Sequence, residues 1–241
     1  MCDTRPKAVL LDVGGIFLLP DHDRVLGALS RADCSSSPTA DLLDSAHYVA
    51  ASGFTTDLDV ETDWTGCWRG YLDRYIEACG VSLGDREEVH LHLDSEFADA
   101  ALWMHVIPDS RDGLQAIADT GVRLGIVSNA DGVMASRLDE LEILQVGPGM
   151  GVPVDCVIDS GAVGVMKPDV RIFRLALEAM AIDADEAWYI GDMPAIDIVG
   201  ARRAGVRPFI MDPLGLHRDA DYEGVPSLAE LAARIRASEL D

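Results

Sequence analysis

Four short segments carry residue types able to do chemistry. Lys7–Val13 is an apolar run that delivers Asp12 just before Gly14-Gly15, so a carboxylate emerges where a buried strand breaks off. Such a carboxylate can be a nucleophile, a metal ligand or a turn former. Gly125–Asn129 ends a second apolar run on Ser128 and Asn129, a hydroxyl and an amide suited to phosphate oxygens and equally to turn chemistry. Gly164–Asp169 sets Lys167 directly before Pro168, at a predicted helix start. Lys7 and Lys167 are the only lysines among 19 basic residues, so a role that needs a primary amine falls on few candidates. Gly191–Asp197 supplies two carboxylates, Asp192 at a strand end and Asp197 near the next helix start, hard oxygen ligands of the kind that suit Mg²⁺ or cap helices.

These segments need elements that bring them together. After Pro108 the chain alternates strands (Val122–Val127, Cys156–Ile158, Trp188–Ile190, Pro208–Met211) with helix-like stretches. That alternation predicts an α/β fold, a Rossmann-like doubly wound parallel sheet covered on both faces. Ligands of such sheets bind beyond the carboxyl ends of the strands, which gathers Asp12, Ser128 and Asp192 at one edge. Between residues 19 and 106 the text changes. Asp41–Ala51, Asp63–Cys79 and Val89–Met104 read as helices, and no convincing strand is visible there. The expected organisation is a core of residues 1–18 plus 107–241 with an inserted all-helical cap at 19–106.

Taken together and in order, the Asp12, Ser128-Asn129, Lys167-Pro168-Asp169 and Gly191-Asp192 to Asp197 segments resemble the motifs of the haloacid dehalogenase-like hydrolase superfamily. The resemblance spans nearly the whole chain and implies a phosphatase of the helical-cap branch. Carried over by position, it implies that Asp12 attacks phosphorus and becomes an aspartyl phosphate. Asp12, the Gly14 carbonyl and Asp192 would bind Mg²⁺, with Asp197 holding metal-bound water or supporting Asp192. Ser128, Asn129 and Lys167 would hold phosphoryl oxygens, and Lys167 would also offset charge around Asp12.

One departure stands out. The superfamily's first motif usually reads Asp-x-Asp-Gly-Thr, and here Gly14 stands where the second Asp, the general acid/base, belongs. Such a group is worth typically 10²–10⁴-fold in rate. Either the leaving group departs without help, or Asp21, His22 or Asp23, just beyond the motif, donates the proton or contacts substrate. The Asp-x-Gly-Gly-Ile variant is similar to the branch holding the amino-terminal phosphatase domain of soluble epoxide hydrolase and glucose-1-phosphatase-like proteins, which implies a sugar phosphate. A phosphonatase is excluded by the lack of lysine in residues 19–106, since it needs a cap lysine to form a Schiff base. The alternatives are a degenerate member that binds a phosphorylated ligand or a protein, and a 2-haloacid dehalogenase, which needs no Mg²⁺.

Composition narrows the partners. Hydrophobic residues make up 49% of 241, enough for a sizeable core, and 42 acidic residues against 19 basic give −23. That field disfavours nucleic acid and anionic membranes; the resemblance implies a small phosphorylated molecule as the partner, and a monomer or homodimer is expected. Five scattered cysteines without a C-x-x-C pair, and no apolar signal-peptide core after Met1, predict a reduced, cytoplasmic protein.

Overall fold

The computed structural model describes residues 4–56 and 64–238. Strand β1 (Ala8–Leu11) is followed by β2 (Leu18–Pro20) and the helices α1 (His22–Arg31), α2 (Ala40–Ala51), α3 (Trp64–Ala78) and α4 (Arg86–Phe97). Strand β3 (Trp103–Val106) and helix α5 (Ser110–Ala118) lead to β4 (Arg123–Ser128) and α6 (Met134–Glu140). Then come β5 (Leu144–Val146), β6 (Val152–Val154), β7 (Cys156–Asp159), the single turn α7 (Ser160–Val163) and α8 (Val170–Met180). The chain closes with β8 (Ala187–Gly191), α9 (Asp197–Ala204), β9 (Arg207–Met211), β10 (Glu223–Val225) and α10 (Leu228–Ala237).

The main sheet runs β10-β9-β8-β1-β4-β7, with every pairing parallel. Successive residues of β1 face opposite ways, as the pleat requires. Ala8 and Leu10 pack with Phe173 and Ala176 of α8, whereas Val9 and Leu11 pack with Leu114 and Ile117 of α5 and Leu231 of α10. Burial on both faces explains why β1 and β8 read as continuous apolar runs. Strand β1 sits between β8 and β4, so the crevice beside its carboxyl end is where such a sheet accepts a ligand.

Helices α1–α4 build a separate cluster around Leu29, Phe54, Tyr71, Tyr75 and Leu93, which also takes in Met193, Ala195 and Ile196 from the loop after β8. Two features differ from the sequence reading. The stretch between residues 19 and 106 is bounded by two short strands, β2 and β3, paired antiparallel through Leu19↔His105. Three- and four-residue strands, one ending in Pro20, give too little alternation to register as a pattern. The helix expected over Val89–Met104 ends at Phe97, where Asp99 caps a short 3₁₀ turn leading into β3. Of the expected helical stretch 63–79, residue 63 lies outside the described residues. Among the described residues no helix is long and apolar enough to cross a membrane.

Candidate active site

The carboxyl ends of β1, β4 and β8 converge on a cavity of about 330 Å³. Asp12, Gly14, Ser128, Asn129, Lys167, Asp192 and Asp197 line its floor. Trp68, Phe97, Trp103, Met166, Met193 and Ile196 supply apolar wall.

Lys167 organises the floor. It is buried, and its Nζ lies 2.7 Å from Asp12 Oδ2 while donating to Asp197 Oδ1 and to the Tyr189 hydroxyl, each at 2.8 Å. Burial works against its charge, yet Asp12 and Asp197 outweigh that and raise its pKa, so it is a fixed cation. Asp12 also accepts from the Val13 N–H at 2.7 Å. Burial pushes its carboxyl up to about 7, with Asp197 and Asp192 adding to the push and Lys167 opposing it.

Asp197 is wholly occupied by protein. Its Oδ1 accepts from Lys167 and from the Tyr189 hydroxyl at 2.6 Å, and its Oδ2 accepts from the Asp192 and Met193 N–H groups at 3.1 and 2.9 Å. Asp197 thus fixes both the lysine and the loop that carries Asp192. Gly191 lets this happen, since a β-carbon there would collide with the Asp197 carboxyl.

Asp192 has a partner that sequence reading did not assign. Buried His47 of α2 places Nε2 2.8 Å from Asp192 Oδ2 and Nδ1 2.8 Å from the Tyr71 hydroxyl. Burial raises the Asp192 pKa, and the His47 hydrogen bond works in the opposite direction. At the next position of α2, the Tyr48 hydroxyl donates to the Gly15 carbonyl at 2.9 Å. Gly15 must be glycine here: its φ is +65° and a β-carbon would lie 2.6 Å from Asp192 Cγ. Nothing in local spacing reveals the His47 contact, which is made across 145 residues.

The carboxylate oxygens of Asp12, Asp192 and Asp197 lie within 4.8 Å of one another, and all three residues are buried. Three carboxyl groups crowd around one lysine, and burial above all, with neighbouring carboxylates adding to it, raises the pKa of Asp12 and Asp192. A divalent cation fits that donor set. With Asp197 taken up by its four hydrogen bonds, Asp12 and Asp192 are the residues left to hold it.

Other expected positions fall elsewhere. Asn129 does not turn its amide toward a phosphate: Oδ1 accepts from the Lys167 N–H at 2.7 Å and Nδ2 donates to the Lys167 carbonyl at 3.1 Å. It clamps the lysine's main chain, because both ends of a planar amide match one residue's N–H and C=O. Ser128, buried at the end of β4, faces the cavity. Asp21, His22 and Asp23 do not line it. Asp21 caps α1 by accepting from the Arg24 N–H, His22 bonds Asp44, and Asp23 is exposed in the first turn. No described histidine lines the cavity, and Asp131 at its edge is paired with Arg137 at 3.0 Å, which holds its pKa down against burial. A β-carbon at Gly14 would sit 3.5 Å from Trp103 Cζ3, so the indole occupies the approach where a longer side chain would go.

Comparison with known proteins agrees with this geometry. The family model described as haloacid dehalogenase-like hydrolase matches residues 6–205. A phosphoserine phosphatase of Thermus thermophilus is 33% identical over 72% of this chain and 66% of its own length. A phosphatase of Mycobacterium tuberculosis is 28% identical over 72% and 81%. A solved hydrolase of that superfamily from Ehrlichia chaffeensis superposes with a TM-score of 0.58 over 98% of both chains, at 17% identity, a likeness of fold.

Proposed function

The chain belongs to the haloacid dehalogenase-like hydrolases, and on that premise we propose that it hydrolyses a small phosphomonoester through Asp12. The single observation that carries this reading is Lys167 Nζ held 2.7 Å from Asp12 Oδ2 at a strand-end cavity that also presents Ser128 and Asp192. The phosphatase names of relatives from Thermus thermophilus and Mycobacterium tuberculosis support it.

In this reading residues 1–18 and 107–241 form the core and 19–106 the cap, joined by the β2–β3 pair. The ester enters the cavity with its phosphoryl oxygens toward Lys167 and the Ser128 hydroxyl. An Asp12 oxygen attacks phosphorus, the P–O bond to the substrate's carbon skeleton breaks, and the departing oxygen takes its proton from water. Water then cleaves the aspartyl phosphate, releasing inorganic phosphate and restoring the Asp12 carboxylate. Mg²⁺, held by Asp12, the Gly14 carbonyl and Asp192, supplies Lewis-acid charge stabilisation to the transferring group when bound. Asp197 keeps Lys167 and the Asp192 loop in register, so the fixed charges are in place before substrate arrives.

With Asp131 paired to Arg137 and no other described acid lining the cavity beyond the charged cluster, turnover favours substrates whose oxygen leaves as a stable anion. An anomeric sugar phosphate meets that condition, as do acyl and enol phosphates. The apolar wall of Trp68, Phe97, Trp103 and Met193 offers few partners for sugar hydroxyls and suits a short carbon skeleton.

The test is phosphate release from a panel of sugar, acyl, enol and aryl phosphates with Mg²⁺ or EDTA, for wild type and Asp12→Asn. Mg²⁺-dependent release abolished by the substitution is the expected result. Turnover of 2-haloacids in EDTA, or silence on the whole panel, overturns it.

A further inference from the structure

Helix α2 reaches the back of the cavity floor with two adjacent side chains. His47 meets Asp192, and Tyr48 donates to the Gly15 carbonyl, one residue beyond Gly14. Gly15 is the gap through which the imidazole passes, since a β-carbon there would lie 2.8 Å from His47 Nε2 and 2.6 Å from Asp192 Cγ. His47 is fully buried and does not line the cavity, so it stands behind the carboxylate and out of reach of a substrate. Its ring is held edge-to-face by Tyr48 and Trp103, with centroids 5.2 and 5.3 Å away.

The donors and acceptors fit together in one direction. A carboxylate accepts, so His47 Nε2 carries the hydrogen bonded to Asp192 Oδ2 at 2.8 Å. Nδ1 of the neutral ring is then an acceptor, and the Tyr71 hydroxyl 2.8 Å away is the donor it needs. Burial pushes the Tyr71 phenol well above its ordinary pKa, which keeps that proton in place. Tyr71, His47 and Asp192 therefore form a chain of hydrogen bonds running from α3 through α2 into the cavity. Asp192 Oδ2 is taken, while Oδ1 accepts from no described side chain or N–H group. Asp197, by contrast, has both oxygens filled by protein.

We infer that His47 is a positioning residue for the divalent-cation site: it holds Asp192 Oδ2, leaves Oδ1 for the ion, and so makes metal affinity depend on α2 being docked. This rests on the reading of Asp12 and Asp192 as the ion's carboxylates. The physical basis is the entropy of an unheld side chain. A free carboxylate must be ordered when the ion binds, whereas one hydrogen-bonded to a locked ring is ordered beforehand. A neutral imidazole does this without setting a positive charge beside the ion, as a lysine or arginine in its place would. By linkage, ion binding in turn favours docking of α2 on the core.

The experiment titrates full-length, EDTA-stripped protein with Mn²⁺, an oxygen-seeking octahedral stand-in for Mg²⁺, and reads free Mn²⁺ by electron paramagnetic resonance with no substrate present. Two amides divide the imidazole between them. His47→Gln carries an amide nitrogen to the place of Nε2, and His47→Asn carries its amide only as far as Nδ1. The affinity of His47→Asn is expected to fall by about 10–100-fold, and that of His47→Gln by less than about 10-fold. Urea unfolding in EDTA runs alongside, because a purely structural role lowers stability and leaves the Mn²⁺ affinity of the folded protein alone. Should His47→Asn not fold, Tyr71→Phe takes its place; it removes the donor to Nδ1, and a fall in affinity is expected there too. If binding is lost in Asp192→Asn while His47→Asn binds as tightly as wild type or tighter, or if the two amides fall alike, the role of His47 is overturned and the metal reading stands. Absence of Mn²⁺ binding in wild type, or full affinity in Asp192→Asn, overturns both.

Discussion

Asp12→Asn changes the metal-free protein in a direction opposite to most substitutions of a buried polar residue. The native Asp12 carboxyl sits at about 7, against an ordinary value of 3.8, because burial and two neighbouring carboxylates outweigh Lys167. Folding a carboxyl whose native pKa is raised is penalised wherever the unfolded chain has already lost the proton. The penalty is absent below pH 3.8, grows between 3.8 and about 7, and is flat above. At about 1.4 kcal/mol per pH unit the full gap is roughly 4 kcal/mol, and about 2.5 kcal/mol of it develops between pH 5 and pH 8. Asparagine never ionises and escapes this penalty. Its NH₂, however, must face either Lys167 Nζ or the Val13 N–H, a donor against a donor, costing about 1–3 kcal/mol at every pH. In EDTA at pH 8 the variant is therefore more stable than wild type by about 1–3 kcal/mol, and the advantage shrinks or reverses at pH 5. Urea unfolding followed by tryptophan fluorescence, with EDTA throughout, measures both ends. A stability difference that does not move with pH, or one that turns against the variant as pH rises, refutes the account of crowded carboxylates. Saturating Mg²⁺ should raise wild type and leave the variant nearly unchanged, because the proposed cation site has lost one of its two carboxylates.

Asp197→Asn keeps the shape but sets an NH₂ against either Lys167 and Tyr189 or two backbone N–H groups, so urea unfolding should show a loss of about 3–5 kcal/mol. Adjacent glycines should part company: Gly14→Ala meets Trp103 at an ordinary 3.5 Å and should stay within about 0.5 kcal/mol of wild type, whereas Gly15→Ala forces a φ of +65° and contacts with Asp192 and His47. Thermal scans should place Gly15→Ala about 1–3 kcal/mol lower, with the metal response weakened. Asn129→Ala should cost about 1–3 kcal/mol by freeing the Lys167 main chain, and an unchanged stability with weakened phosphate binding would show instead that the amide meets substrate.

The parallel sheet was legible because its signals are local. Runs such as Ala8–Leu11 and Ala187–Gly191 are buried on both faces and bounded by turns, so their apolar text announces them. Asp12, Ser128 and Asp192 followed from the rule that strand ends collect ligands, and Lys167 from the scarcity of lysine. What the text could not show was division of labour within the cluster. Asp197 and Asn129 looked like ligands by residue type, but their partners are Lys167, Tyr189 and main-chain groups brought in by packing. His47 reaches Asp192 only once α2 docks, and no periodicity encodes that contact. Strands β2 and β3 were too short to leave a pattern, although together they carry His105 and Trp103 to their places.

The indole of Trp103 over Gly14 also bears on how such a site can change over generations. A carboxylate introduced at position 14 meets the ring, and a small residue introduced at position 103 leaves a hole above a glycine. The two positions are in contact, so their substitutions are expected to couple, and the double change should differ from the sum of its parts.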